Sequence, residues 1–147
     1  MKKISLFLLL LLLTGCATGR KPPSSYPEHS YDEVSFLKID YKDCFNQTNQ
    51  SYLLYFYQET CHDCSLIKNE VIDFALNNQM PIYFIEANNS FPYRYSYNEI
   101  DKTIGATKYT DIWVGLTPEI VTINNYLAVD NKVGSNDVSY VLSTYRK

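Results

Sequence analysis

The sequence predicts an α/β domain in which a mixed sheet is flanked by helices, in the order β-α-β-α-β-α-β-β-α. Three observations point there. Two continuous apolar runs, Tyr52–Tyr57 and residues 81–87, lack the alternation of a half-exposed strand and read as strands buried on both faces. Between them Ile67, Val71, Phe74 and Ala75 recur at helical spacing, the stripe of a helix packed on a sheet. Two further strand-like runs meet at Asn124-Asn125, a hairpin-type turn. Alternating strands and helices imply a parallel component, and the hairpin adds an antiparallel edge.

Taken in order, Val34, Phe36 and Leu37 open a first strand over 34–39. Residues 40–47 suit a short helix with Tyr41, Cys44 and Phe45 on its inner face. The buried strand 52–57 follows, and then the amphipathic helix, which ends near Asn77-Asn78. Pro81 begins the next strand, a position where its missing N–H is tolerated. Residues 98–107 form a weaker helix with Ile100 and Ile104 as the inner pair. Strands over 119–123 and 126–129 make the hairpin. A helix from about Asn136 closes the chain, with Val138, Val141, Leu142 and Tyr145 along one face. Arg146 and Lys147 complement the negative end of its dipole.

The N-terminus bears on compartment. Lys2 and Lys3 precede the apolar stretch 4–13, interrupted only by Ser5. A spanning helix needs about 20 such residues, so this is a signal-peptide core rather than a permanent anchor. The stretch ends in Leu13-Thr14-Gly15-Cys16, which resembles the lipobox of bacterial lipoproteins. The resemblance implies that residues 1–15 are removed and that Cys16 is lipidated. Acyl chains would then hold the protein on the extracytoplasmic face of the cell membrane, each buried CH2 contributing ~0.8 kcal/mol. Residues 16–33 read as a flexible tether with Pro22, Pro23 and Pro27 among small and polar residues, and 34–147 as the domain. Without Lys2 and Lys3 there remain 11 basic against 16 acidic side chains, a net charge of −5. That balance gives no support to nucleic-acid binding or to a second, electrostatic attachment to anionic lipid.

The chemistry concentrates in Cys61-His62-Asp63-Cys64, at the junction of the buried strand and the amphipathic helix. Cysteines three apart at a first helical turn can close a small disulfide ring. The leading thiol then stands at the positive end of the helix dipole, which favours the attacking thiolate. The same motif is also half of a zinc site, but the mature chain offers only Cys44, His29 and His62 as further soft ligands. Redox pair, structural disulfide and metal site are the readings in that order of preference, and neither metal nor cofactor is expected. A second element, Thr117-Pro118, precedes the strand at 119–123.

Together the Cys61–Cys64 motif at a strand-to-helix junction and the later Thr117-Pro118 resemble the thioredoxin pattern, over residues 34–147. The resemblance implies that Cys61 is the exposed nucleophile and Cys64 the resolving thiol, joined as a disulfide when oxidised. It also implies that Pro118 is a cis-proline facing them, and that the Thr117 backbone pairs with substrate. Thr60 and His62-Asp63 depart from the Trp-Cys-Gly-Pro-Cys of thioredoxin itself. Tyr55 stands where thioredoxin keeps a buried acid, which leaves no evident carboxylate to take a proton from Cys64. A protonated His62 would favour the Cys61 thiolate, whereas Asp63 and Glu59 would disfavour it. Residues 108–116, with Trp113, and 88–97, with Tyr93, Tyr95 and Tyr97, are either substrate-facing loops or plain packing. Cys44 reads first as a buried small hydrophobe beside Tyr41 and Phe45, with a third redox thiol or half of an intermolecular bond as the alternatives.

The leading functional expectation is a lipid-anchored thiol–disulfide oxidoreductase. Its partners would be exported proteins or peptides bearing thiols or disulfides, with a membrane redox partner. The alternatives on the same scaffold are a non-catalytic accessory lipoprotein with a structural disulfide and, third, a metal chaperone.

Overall fold

The structure, a computed structural model, describes residues 25–88 and 97–146. Four strands form one sheet in the spatial order β2-β1-β3-β4. They are β1 (Tyr52–Tyr57), β2 (Ile82–Glu86), β3 (Glu119–Asn124) and β4 (Leu127–Val133). β1 and β2 run parallel, with Leu53 opposite Ile82. β3 is antiparallel to β1, with Leu54 opposite Val121, and β4 is antiparallel to β3. Two helices, α1 (His62–Asn77) and α2 (Ser135–Tyr145), pack on one face.

All six residues of β1 are buried because both faces of the sheet are covered. Leu53, Tyr55 and Tyr57 meet Ile67, Val71, Ile72 and Phe74 of α1 and Val138 and Leu142 of α2. Tyr52, Leu54 and Phe56 meet Ile85, Val121 and Ile123 together with Cys44, Ala106, Ile112 and Val114 from the connecting segments. Each large apolar side chain so buried stabilises the fold by about 1.5–3 kcal/mol. The central strand therefore belongs to two cores, which is why its sequence does not alternate.

The first strand expected over 34–39 is not formed. Tyr31–Leu37 is a 3-10 helix, and pairing with the sheet is limited to one parallel bridge, Lys38 to Phe84, with the Ile39 amide donating to the Phe84 carbonyl at 2.9 Å. The cause lies at its N-cap. Ser30 Oγ accepts from the Asp32 amide at 3.3 Å, while Glu33 Oε1 accepts from the Ser30 amide at 2.6 Å. This reciprocal capping box commits the segment to a helical start. Val34 is then fully buried while Phe36 is 73% exposed.

The packed chain also begins earlier than residue 34. Tyr26 Oη donates to Glu70 Oε1 at 3.4 Å and the His29 amide to Asn69 Oδ1 at 3.0 Å. The Arg146 guanidinium lies over the Tyr26 ring, 4.7 Å from its centroid, and donates to its hydroxyl. The stretch read as tether through residue 33 is thus docked on α1 from Tyr26 onward. Residues 1–24, where the expected signal peptide and Cys16 fall, lie outside the described residues.

Three smaller differences follow from local geometry. The helix expected over 40–47 is a single 3-10 turn, Tyr41–Asp43, with Asp40 Oδ1 accepting from the Lys42 amide at 2.9 Å. The helix expected over 98–107 is the 3-10 helix Tyr97–Thr103. With three residues per turn the inner positions shift, so Thr103 and Ala106 are buried and Ile104 is exposed. The hairpin turn is Asn125-Tyr126, with φ of 49° and 60°, one residue beyond the expected place. Two central residues at positive φ make the turn whose twist matches the strands. Among the described residues no helix is long and apolar enough to cross a membrane.

Candidate redox site

β1 ends at Tyr57, and α1 begins after the turn Gln58-Glu59-Thr60-Cys61. The Cys61 amide donates to the Gln58 carbonyl at 3.1 Å and closes that turn. Cys61 is the N-cap of α1, with extended backbone (φ −75°, ψ 124°). Its Sγ accepts from the Cys64 amide at 3.2 Å, and its carbonyl accepts from the Ser65 amide at 3.1 Å. A sulfur here takes the place that a serine or aspartate oxygen usually fills in capping the orphan amides of a helix start. Negative charge developing on Cys61 faces both that amide and the positive end of α1.

The two cysteines are present as thiols, Cys61 half-buried and Cys64 only 1% exposed. Burial pushes the Cys64 thiol up to about 12, and the neighbouring Cys61 adds to the effect. The surroundings explain the burial. Tyr55 and Tyr57 stack in parallel at 5.9 Å, and Tyr31 stacks on Tyr57 at 4.1 Å, so Cys64 sits in an aromatic core. Burial likewise pushes the Tyr31 and Tyr55 phenols up, so they stay protonated at neutral pH. His62 and Asp63 are both exposed on the first turn of α1.

The second half of the site comes from the loop ahead of β3. The Thr117-Pro118 peptide bond is cis. Cys61 Sγ donates to the Thr117 carbonyl at 3.2 Å, joining residues 56 positions apart. The Pro118 carbonyl accepts from the Gly134 amide at 2.8 Å, tying the loop to the start of α2. Cys61, Cys64, Thr117 and Pro118 are therefore brought together.

Two residues of this neighbourhood belong to no motif in the sequence. Gln58 Oε1 accepts from the Thr117 hydroxyl at 3.4 Å while its Nε2 donates to the Ala87 carbonyl at 2.7 Å. It thus links the ends of β1 and β2 to the proline loop. Its signal was a polar residue abruptly ending an apolar strand just ahead of the cysteine motif. Glu119, the first residue of β3, is fully buried, and its Oε2 accepts from the Gly115 amide at 2.6 Å. Its signal was an acid at the head of a strand read as buried.

The loops divide. Ile112 and Val114 are packed in the second core, and Lys102 Nζ stands 4.6 Å from the Trp113 ring centroid, a cation–π contact. Thr103 Oγ1 accepts from the Trp113 amide at 2.7 Å and donates to its carbonyl at 3.0 Å. Much of 108–116 is packing, while Leu116, 44% exposed, stands next to Thr117. Of the other loop, 89–96 lies outside the described residues, Tyr93 and Tyr95 included. Cys44 is fully buried with its thiol pushed up by burial, and its carbonyl accepts from Tyr52 Oη at 2.6 Å. Among the described residues no cluster of three or more His, Cys, Asp or Glu could hold a metal, and His29 Nδ1 lies 3.0 Å from Glu33 Oε2.

No protein-family model matches the chain, and no curated protein matches it. Solved structures do. Thioredoxin f2 of Chlamydomonas reinhardtii superposes with a TM-score of 0.50 at 16% identity, over 75% of this chain and 95% of that one. Mitochondrial thioredoxin 3 of Saccharomyces cerevisiae gives 0.49 at 14% identity, over 76% and 94%. Spinach chloroplast thioredoxin f gives 0.48 at 13% identity, over 75% and 92%. At such identities the likeness is one of fold, and it rests on thioredoxin f2: the chain has a thioredoxin-like α/β fold.

Proposed function

We propose that this thioredoxin-fold chain is a membrane-anchored thiol–disulfide oxidoreductase that exchanges disulfides with exported proteins through Cys61 and Cys64. The observation that carries the reading is the placement of Cys61 Sγ. It is half-buried at the N-cap of α1, with an amide donor on one side and the Thr117 carbonyl on the other. The anchored, extracytoplasmic setting is supported by the sequence pattern ending in Cys16.

In the reducing direction the Cys61 thiolate attacks one sulfur of a client disulfide. A Cys61–client disulfide forms and the other client sulfur leaves as a thiolate. Cys64, after losing its proton to solvent or to that leaving thiolate, attacks Cys61 Sγ. The Cys61–Cys64 disulfide forms and the second client thiolate is released, so two electrons pass to the client. The oxidising direction is the reverse. An extended client segment laid along Thr117 would pair backbone to backbone, which brings its disulfide to Cys61 without demanding particular side chains.

Equilibration of the full chain with glutathione redox buffers tests the reading. A pair that exchanges readily, with a potential between about −120 mV for an oxidant and about −270 mV for a reductant, supports it and sets its direction. A disulfide that glutathione does not reduce would establish the accessory-scaffold role instead.

A further inference from the structure

Resting on that redox reading, we propose that Glu119 is a positioning residue whose buried carboxylate holds loop 115–118 against Cys61, and that protonation of this one acid loosens the loop and slows exchange with protein clients.

Glu119 sits between Phe56 of β1 and Val133 of β4, fully buried on the face of the second core. An unpaired carboxylate there would be costly. What holds it is the chain just upstream: Oε2 accepts from the Gly115 amide at 2.6 Å, and the Leu116 amide also faces the carboxyl. Charge-assisted bonds of this kind are about twice as strong as neutral ones. They fix the two residues ahead of Thr117, while Pro118, bound to the Gly134 amide, fixes the residue behind it. The Thr117 carbonyl between these points is the group that meets Cys61 Sγ at 3.2 Å. Glu119 touches neither sulfur and acts through the loop.

The rest of the pocket is suited to a proton. Glu119 Oε1 is buried with no hydrogen-bond partner. The Asn131 side chain lies beside the carboxyl from β4, 2% exposed. Its Nδ2 is committed to the Ile100 carbonyl at 3.0 Å, and its Oδ1 also lacks a partner. Burial raises the Glu119 carboxyl to about 7, with the Gly115, Asn131 and Leu116 groups opposing the rise. Both protonation states are therefore populated near neutrality. As pH rises, Glu119 ionises and its amide bonds strengthen. As pH falls, it becomes a weaker acceptor and the loop is released. The groups facing it are Phe56 from β1, Asn131 and Val133 from β4, and the two loop amides, none of which titrates over this range. Asp130 and Lys132 of β4 alternate to the opposite face by register and pair with each other at 3.0 Å. Of the 3-10 helix that supplies Ile100, Glu99 and Lys102 pair at 2.5 Å, and Asp101 is exposed.

The test has two arms on the full-length chain. In the first, amide nitrogen and proton resonances of Gly115 and Leu116 are followed from pH 5 to 9 in the reduced protein. They should titrate together with a midpoint near 7, and Glu119→Gln should abolish the titration. Flat resonances in the wild type would overturn the proposal even if the variant fails to fold. In the second arm, reduction of insulin and reaction with dithiothreitol are timed for both proteins. Glu119→Gln should slow the insulin reaction about tenfold, by misplacing the loop, and change the dithiothreitol reaction far less. Equal loss of both rates, or of neither, would overturn the positioning role. A wild type that exchanges with neither reagent overturns the redox reading and the gating with it, an outcome distinct from failure of Glu119 alone.

Discussion

The sulfur of Cys61 lies between an amide donor, Cys64 N–H, and a carbonyl acceptor, Thr117 O, each 3.2 Å away. As a thiolate it keeps the first contact and loses the second, so in the proposed exchange the Thr117 side is where the sulfur would engage a client. Cys64 has no such outlet. Trapping should follow that asymmetry: Cys64→Ala should accumulate mixed disulfides with clients through Cys61, seen as thiol-sensitive adducts on non-reducing gels, and Cys61→Ala should not. The burial of Cys64 sets a pH dependence as well. Because its proton is held up to about 12, closure of the Cys61–Cys64 bond from a mixed disulfide should quicken by nearly tenfold per pH unit from 7 to beyond 9. A thiol of ordinary acidity would level off near 8.5. Stopped-flow release of a chromogenic thiol from Cys61 measures this, and a plateau below pH 9 would contradict the burial argument. At this scale the meeting of the cysteine pair with Thr117-Pro118 was legible in the sequence through the family pattern these residues resemble. Gln58 and Glu119 were not, because a single polar residue carries no period, and its partners at Ala87, Thr117 and Gly115 become neighbours only on folding.

Among the elements, those that bury a long uniform face were the easiest to read. β1 has six buried positions in a row, and α1 turns its apolar stripe to the sheet. The 34–39 segment misled because Val34, Phe36 and Leu37 look like strand residues, while the Ser30-x-x-Glu33 pattern just upstream is the stronger instruction. The helix expected over 98–107 lies at 97–103 because it winds at three residues per turn and not 3.6. The β3–β4 hairpin carries its own prediction. Tyr126 holds φ of 60° with a Cβ atom, although its amide bond to the Gln50 carbonyl at 3.1 Å needs no side chain. An L-residue pays about 1–2 kcal/mol for that conformation. Tyr126→Gly should therefore raise stability by roughly 0.5–1 kcal/mol after the extra entropy of glycine in the unfolded chain. Urea unfolding would show it as a higher midpoint at unchanged slope, and a lower midpoint would mean that the half-exposed tyrosine ring contributes more than the strain costs.

On the scale of the whole molecule, β1 joins two cores, and the site stands at the end of that strand, where α1, the proline loop and the end of β2 converge. Rigid parts on each side fix the short distances at Cys61. The N-terminal segment adds a further contact at the back of α1. Ser139 Oγ donates to Glu70 Oε2 at 2.8 Å, and Arg146 approaches Glu70 and Asp73 at 4.0 Å, so Tyr26, α1 and α2 share one polar cluster. The proposed attachment at Cys16 predicts that the wild type partitions with membranes after cell fractionation and that Cys16→Ala appears in the soluble extracytoplasmic fraction. A Cys16→Ala chain still membrane-bound after signal removal would sink the lipid assignment.

On the proposed attachment at Cys16, the docking of Tyr26 would also limit working range. For a chain held at Cys16, the free contour runs only to residue 26, at most about 35 Å when fully drawn out, against roughly 60 Å had it run undocked to residue 33. For a flexible tether the effective concentration near the anchor falls roughly as the −3/2 power of length, so ending the free chain at residue 26 instead of 33 would raise it about twofold. Clients would then be sorted by altitude: a disulfide emerging close to the lipid surface lies inside the shell that Cys61 patrols, and one carried farther out does not.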